Sequence, residues 1–235
     1  MAALTGTIVN VITVIIGSCL GLLLKKGLSE RLTNALMVAV GLAVAYIGID
    51  GSLSGENMLV AVLSLVIGAV IGEWLDIDRR LNRIGELLQR KLAKKSDGES
   101  TIAQAFVSAS LLFCVGAMTI VGSLQSGIAN DHDTLFVKAI LDGISSIVFA
   151  ATLGAGTLLA VVPVLVYQGS IALLARFVAP YLTDAVIAEM TCVGSLLILA
   201  LALNLLNITK IKVANLLPAI LVPIALCPLY ELVFR

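Results

Sequence analysis

Asp142 is the residue in this sequence with most to do chemically, because it stands inside an otherwise apolar run, Lys138-Ala-Ile-Leu-Asp-Gly-Ile-Ser-Ser146. Lys138 precedes it by four residues, which puts ammonium and carboxylate on one helical face. A carboxylate at membrane depth is costly unless it is paired or meets water. It is therefore either a ligand for a cation or a proton, with Ser145 and Ser146 lining the path, or half of a structural ion pair. Asn10, Gln168 and Asn204 also lie within apolar runs, and each can both donate and accept hydrogen bonds. Helix-to-helix bonding is one use for such amides, at about 0.6 kcal/mol each. Gln168 is followed by Gly169-Ser170, where the missing Cβ lets other groups come close.

Other polar groups sit toward the ends of apolar runs. Gln125 and Ser126, within Gly122-Ser-Leu-Gln-Ser-Gly127, either enter an outward vestibule or form a plain loop. Asn215 opens Asn215-Leu-Leu-Pro218, which together with Pro223 can interrupt a helix and free carbonyls for a cation; prolines are also simply tolerated in membrane helices. Glu73 beside Trp74 reads as a solvated acid at a membrane rim, where tryptophan is favoured.

Several chemistries find no support. The sequence holds no nucleophile elbow, phosphate loop, zinc-protease motif or dinucleotide fingerprint. Cys19, Cys114, Cys192 and Cys227 stand singly in apolar runs and His132 is the single histidine, so buried thiols are expected rather than a metal site or disulfide framework. No enzyme activity, cofactor, metal or nucleic-acid partner is expected.

The elements that must position these groups follow from hydropathy. The chain is 60% hydrophobic and 13% charged, with a mean hydropathy of +1.10. Soluble domains are about 45–50% apolar and about 25% charged, so most of this surface must face lipid. A membrane helix needs about 20 apolar residues, and eight runs qualify: 7–24, 32–49, 58–75, 102–124, 135–153, 157–178, 185–206 and 213–234. The run 135–153 is the weakest, because it contains Lys138 and Asp142, and only Gly154-Ala155-Gly156 separates it from the next. The first run lacks a basic leader and a cleavage site, so it is expected to remain as a span.

Basic residues fix the orientation, since short loops rich in Lys and Arg stay cytoplasmic. Lys25, Lys26 and Arg31 follow the first run, seven basic residues from Arg79 to Lys95 follow the third, and Lys210 and Lys212 precede the last. Eight spans put all three groups on one side and both termini outside. Residues 78–95 place Leu81, Ile84, Leu88 and Leu92 at helical spacing opposite Arg and Lys, the pattern of a helix lying on anionic headgroups; a regulatory helix is the alternative.

A faint internal repeat relates Gly17-Ser18 to Gly169-Ser170, with Gly41 and Gly194 in the spans that follow. Three-span units of opposite orientation are common in secondary transporters. The expected organisation is a unit over 1–76, a cytoplasmic helix and linker over 77–100, a central hairpin over 101–156 and a second unit over 157–235.

Three stretches carry a family resemblance: Gly6-Thr-Ile-Val-Asn10, Gly68-Ala-Val-Ile-Gly72-Glu73 and Leu112-Phe-Cys-Val-Gly-Ala-Met-Thr-Ile-Val-Gly-Ser123. With Gln168-Gly169, Val193-Gly194 and Asn215-Leu-Leu-Pro218, they resemble the uncharacterised YdfK/YqgA-like membrane proteins, domain of unknown function 554, over essentially the whole chain. The resemblance implies a bacterial inner-membrane protein and supplies no substrate.

The expectation is thus an all-α, polytopic bundle of about eight spans in a bacterial inner membrane, with a 3+3 inverted repeat flanking a central hairpin. Function is expected to be transport or conduction of a small solute or cation through Asp142, Lys138, Ser145, Ser146, Asn10, Gln168, Gln125 and Asn215. A homodimer packed through small-residue faces such as Gly17–Gly21 is expected, because one chain makes a thin bundle. The competing expectation is a membrane scaffold or sensor acting through the basic helix. A transporter should give water a route to Asp142, whereas a scaffold should seal it against Lys138.

Overall fold

A computed structural model describes residues 2–25, 29–80, 99–115 and 117–234. Among them the regular elements are all helical. The main helices are α1 (Thr5–Lys25), α2 (Glu30–Ser52), α3 (Met58–Leu75), α4 (Glu99–Cys114), α5 (Ala117–Ala129) and α6 (Asp133–Leu153). They are followed by α7 (Gly156–Leu159), α8 (Val161–Leu173), α9 (Ala175–Val178), α10 (Asp184–Leu205) and α11 (Pro223–Phe234). A 3-10 helix, Val213–Leu221, precedes α11. The amphipathic pattern at 78–95 falls almost wholly outside the described residues.

Helix ends follow local chemistry. Ser29, Asn57 and Thr183 cap α2, α3 and α10 by accepting from backbone N–H groups of the first turn. Asp76 closes α3 with φ 47°, a left-handed conformation that short polar side chains tolerate. The turn between α6 and α7 needs φ 93° at Gly154, which glycine adopts without penalty.

Five helices are long and apolar enough to cross a membrane alone: α1, α3, α6, the run Gly156–Leu173 and α10. Two bent pairs bring the number to seven. The expected span 102–124 is one of these pairs: α4 and α5 meet at 59°. Hydropathy gave no sign of this break because both sides are equally apolar. Thr119 spans it, its hydroxyl donating to the Phe113 carbonyl at 3.3 Å. The last expected span, 213–234, is the other pair, bent by 45°. Pro218 and Pro223 lack the N–H groups an α-ladder needs, which accounts for a nine-residue 3-10 segment where runs of three or four are usual. In α2 the apolar part is the shorter Met37–Ser52, so length and hydropathy give five to seven crossings among the described residues where eight were expected.

Burial is inverted relative to a soluble protein. On α6, Lys138, Asp142 and Ser146 are buried while Val137, Ile140, Leu141, Ile144 and Val148 are exposed. On α1, Thr7, Asn10 and Ser18 are buried and Ile8, Ile12, Ile16 and Leu20 are exposed. Water would penalise such a surface, at about 25 cal/mol per Å² of apolar area; lipid does not. Trp74, 84% exposed at the end of α3, suits a headgroup belt. Helix α10 is the central column, buried along most of its length.

Glycines mark the seams and give the helix directions. Gly6 of α1 faces Leu135 of α6, Gly17 faces Gly143 and Ser146, and Gly21 faces Ile147 and Ala150, so α1 and α6 run parallel. The Gly17–Gly21 face, expected to pack a dimer, is thus spent within the chain; its small residues let α6 approach. Gly41, Gly48 and Gly51 of α2 face Leu206, Leu199 and Ser195 of α10, an antiparallel pair. Gly68 and Gly72 of α3 face Ala219 and Asn215, again antiparallel. Gly156 faces Ile102 and Ala105 while Gly127 faces Ala172 and Ala175, so the α4–α5 and α7–α8 segments run parallel.

Candidate functional site

The sequence places Asn10 on the buried face of α1, two turns before the Gly17 crossing that brings α6 closest. On α6 the four-residue spacing sets Lys138 and Asp142 on the face toward α1, and α8 contributes Gln168 from a third side. Lys138 Nζ lies 2.9 Å from Asp142 Oδ1 and 2.8 Å from Oδ2. Asn10 Nδ2 donates to Asp142 Oδ2 at 2.9 Å and to Gln168 Oε1 at 3.3 Å. Residue exposures are 6% for Lys138, 5% for Asp142 and zero for Asn10 and Gln168. Four groups separated by up to 158 positions thus form one polar knot between three helices. The pair is formally neutral, which is what makes a charged carboxylate tolerable at this depth.

The knot is not self-sufficient. Asn10 Oδ1 and Gln168 Nε2 are buried without a hydrogen-bond partner. Leaving a buried polar group unpaired costs about 1–3 kcal/mol. An acceptor and a donor are therefore left open on the two amides that flank the carboxylate.

Further polar groups continue from the knot toward the end where α5 meets α6. Thr134, one turn before Lys138, donates from Oγ1 to Gln125 Oε1 at 2.7 Å. Ser126 Oγ donates to the Ala3 carbonyl at 2.7 Å and lies 2.8 Å from His132 Nδ1. One turn inward on each helix, Thr7 on α1 and Ser123 on α5 have buried hydroxyls without partners. Below the knot, Ser18 Oγ is also unpartnered, while Ser146 Oγ bonds to the Gly143 carbonyl at 2.8 Å.

Not every residue expected at the site reaches it. Gln125 stands at the rim, bonded to Thr134. Ser145 is half-buried and Ser146 is turned onto its own helix. Asn215 is elsewhere: it accepts from the Asp78 backbone at 2.7 Å and donates to Glu73 Oε2. Glu73 is exposed, as expected of a rim acid, but it is also engaged, with Lys212 Nζ 3.6 Å from Oε1. Asn204 closes the loop after α10, donating to the Ile211 carbonyl and accepting from Thr209 and the Ile211 N–H. Of the four cysteines Cys192 and Cys227 are buried, Cys114 is half-buried, and Cys19 is exposed on the outer face of α1, contrary to the expectation of buried thiols.

One acid escaped sequence reasoning. Glu189 of α10 is 2% exposed, and its Oε1 accepts the backbone N–H groups of Glu56 and Asn57 at 2.7 and 2.6 Å. Its Oε2 has no partner. The signal was the presence of a lone carboxylate one turn inside the run 185–206, masked by its nearness to the run's end.

The cavities described beside these groups are apolar. One of about 310 Å³ is bordered by Cys114, Val115, Tyr167, Ile220 and Leu221, between the two bent pairs. A second, of about 280 Å³, shares Tyr167 and Leu221 with it. Neither is lined by Asn10, Lys138, Asp142 or Gln168. Among the described residues there is no group of three or more His, Cys, Asp or Glu placed to hold a metal ion.

Comparison with known proteins agrees with the sequence resemblance. The family described as "Protein of unknown function (DUF554)" matches residues 5–228. "Uncharacterized membrane protein YdfK" of Bacillus subtilis (strain 168) is 35% identical over 222 residues, 93% of each chain. "Uncharacterized protein YqgA" of Escherichia coli (strain K12) is 33% identical over 224 residues, 94% of this chain and 95% of the relative. No solved structure matches.

Proposed function

This chain belongs to the DUF554 family, and we propose that it is a transporter or ion-conducting protein of the bacterial inner membrane, in a closed arrangement around Asp142. The observation that carries this reading is the pair of open amide groups, Asn10 Oδ1 and Gln168 Nε2, beside a buried carboxylate. A clasp made only to hold helices together gains nothing from two unpaired groups in oil, whereas a site that receives a polar visitor needs them. The unpartnered hydroxyls of Thr7 and Ser123 extend the polar surface toward the α5–α6 end, and that of Ser18 extends it the other way.

Eight crossings with both termini outside support the same reading. Alternating crossings make odd-numbered spans parallel to one another and antiparallel to even ones, and all four glycine seams obey this rule. An inverted repeat, in addition, packs each span antiparallel to its counterpart. The α2–α10 and α3–3-10 seams do so. Antiparallel packing of counterpart spans is the arrangement an inverted repeat of secondary-transporter type would give, and it supports the reading.

A second reading, a membrane scaffold or sensor, is favoured by the sealing of Asp142 against Lys138. Flux into proteoliposomes separates the two. A screen across cations and small metabolites should find a solute whose uptake is lost in Asp142→Asn. Uptake indifferent to that substitution removes Asp142 from the mechanism, and no uptake of any solute leaves the scaffold.

A further inference from the structure

We infer that the solute received at the knot is small and uncharged and carries a hydrogen-bond donor beside an acceptor, the chemistry of a carboxamide or a short polyol. This deepens the transport reading and rests on it. Charge is the first ground. Lys138 Nζ lies 2.8 Å from Asp142 Oδ2, and the two groups sum to zero whichever of them holds the proton. A charged visitor would bring an unbalanced charge into a low-dielectric interior, where an ion without a partner is heavily penalised. An uncharged visitor leaves the balance as it stands.

Hydrogen bonding is the second ground. Asn10 Nδ2 is spent on Asp142 Oδ2 and Gln168 Oε1, at 2.9 and 3.3 Å. What remains is Asn10 Oδ1, which accepts, and Gln168 Nε2, which donates; both atoms are without partners on fully buried residues. They belong to two amides joined by a hydrogen bond, so a donor and an acceptor on one short molecule suit the pair. The other open groups near the knot have the same character. Thr7 and Ser18 of α1 and Ser123 of α5 present hydroxyls, each able to donate and to accept. The buried face of α1 thus offers Thr7, Asn10 and Ser18, none of them charged. Size is the third ground. Helix α1 touches α6 on both sides of Asn10, through Gly6 against Leu135 and Gly17 against Gly143. Those contacts are 11 residues apart (17 − 6), about 16 Å of helix, so a solute seated between them is short.

The test uses proteoliposomes holding the full-length protein, with protein-free liposomes of the same lipid setting the passive rate. Acetamide and glycerol entry is followed by stopped-flow light scattering, and entry of sodium, rubidium and acetate with radiolabel. Acetamide and acetate match in heavy atoms and differ in charge, so their comparison isolates the charge. Acetamide or glycerol should enter several-fold faster than the passive rate, while sodium, rubidium and acetate stay at it. Gln168→Glu, which replaces the open donor with a carboxylate oxygen, should return the uncharged probe to the passive rate with its melting temperature checked alongside. The wild-type comparison holds even where that variant fails to fold. Accelerated entry that a folded Gln168→Glu leaves unchanged overturns the inference, and so do acetamide and glycerol both at the passive rate. If sodium, rubidium or acetate then enters faster, the transport reading stands without it. If no probe and no solute of the wider screen enters faster, the transport reading falls as well.

Discussion

At the scale of single residues, the energetics of the knot depend on pairing rather than on charge itself. Lys138→Ala leaves Asp142 buried with one amide donor, and breaking a buried pair this way costs about 3–5 kcal/mol. Replacing both members, as in Lys138→Met with Asp142→Leu, removes the orphaned charge along with the bond, and such swaps are often neutral or stabilising. Thermal unfolding in detergent should show a large drop for the single variant and recovery of most of it in the double. Equal losses in both would mean that the pair's surroundings, not the pair, set stability. Asp142, Lys138, Asn10 and Gln168 were legible in sequence because a polar residue in an apolar run must find a partner. What sequence could not give was which partner: Asn10 and Asp142 are 132 positions apart, and their meeting depends on the α1–α6 seam. Glu189 stayed hidden for the opposite reason, since an acid near a span's end looks solvated until a loop backbone folds over it.

At the scale of elements, the seam between α1 and α6 is set by absent side chains. A Cβ on Gly17 would collide with the Gly143 carbonyl and the Ser146 hydroxyl, the first of which is backbone and cannot swing aside. Gly169 presents only Leu4 Cδ2 at 3.7 Å to an added Cβ, an ordinary contact. Gly17→Ala should therefore destabilise by about 1–3 kcal/mol, the usual cost of overpacking, while Gly169→Ala should be near neutral. Melting temperatures of the two variants check this, and equal effects would contradict the packing described. The two glycines are alike in sequence, each followed by serine, so their different burdens come entirely from the neighbours that tertiary structure supplies. The same holds for the breaks. Pro218 and Pro223 announced the bend in the last span, but the 59° break between α4 and α5 has no proline among its described residues and lies in a run apolar on both sides, so hydropathy read it as one helix.

At the scale of the whole molecule, helix directions constrain the topology more tightly than hydropathy does. Hydropathy leaves α2 short of a full apolar span, and removing one crossing there would reverse every later helix relative to α1. The observed α1–α6 seam is parallel. That requires an even number of crossings from the start of one to the start of the other, which α1, α2, α3 and the α4–α5 pair provide when all four cross. The chain charges agree, since the loop after α2 and the loop between α5 and α6 hold no Lys or Arg, whereas Lys210 and Lys212 follow α10. In a variant lacking the four native cysteines, Ser54→Cys and Asp131→Cys should therefore react with a membrane-impermeant maleimide from the same face, in intact cells. Asn207→Cys should react only once the inner face is opened. Ser29→Cys, at the start of α2, should likewise react only once the inner face is opened; labelling of Ser29→Cys and Ser54→Cys from one face would mean that α2 does not cross, and the inverted pairing of α2 with α10 would fall with it.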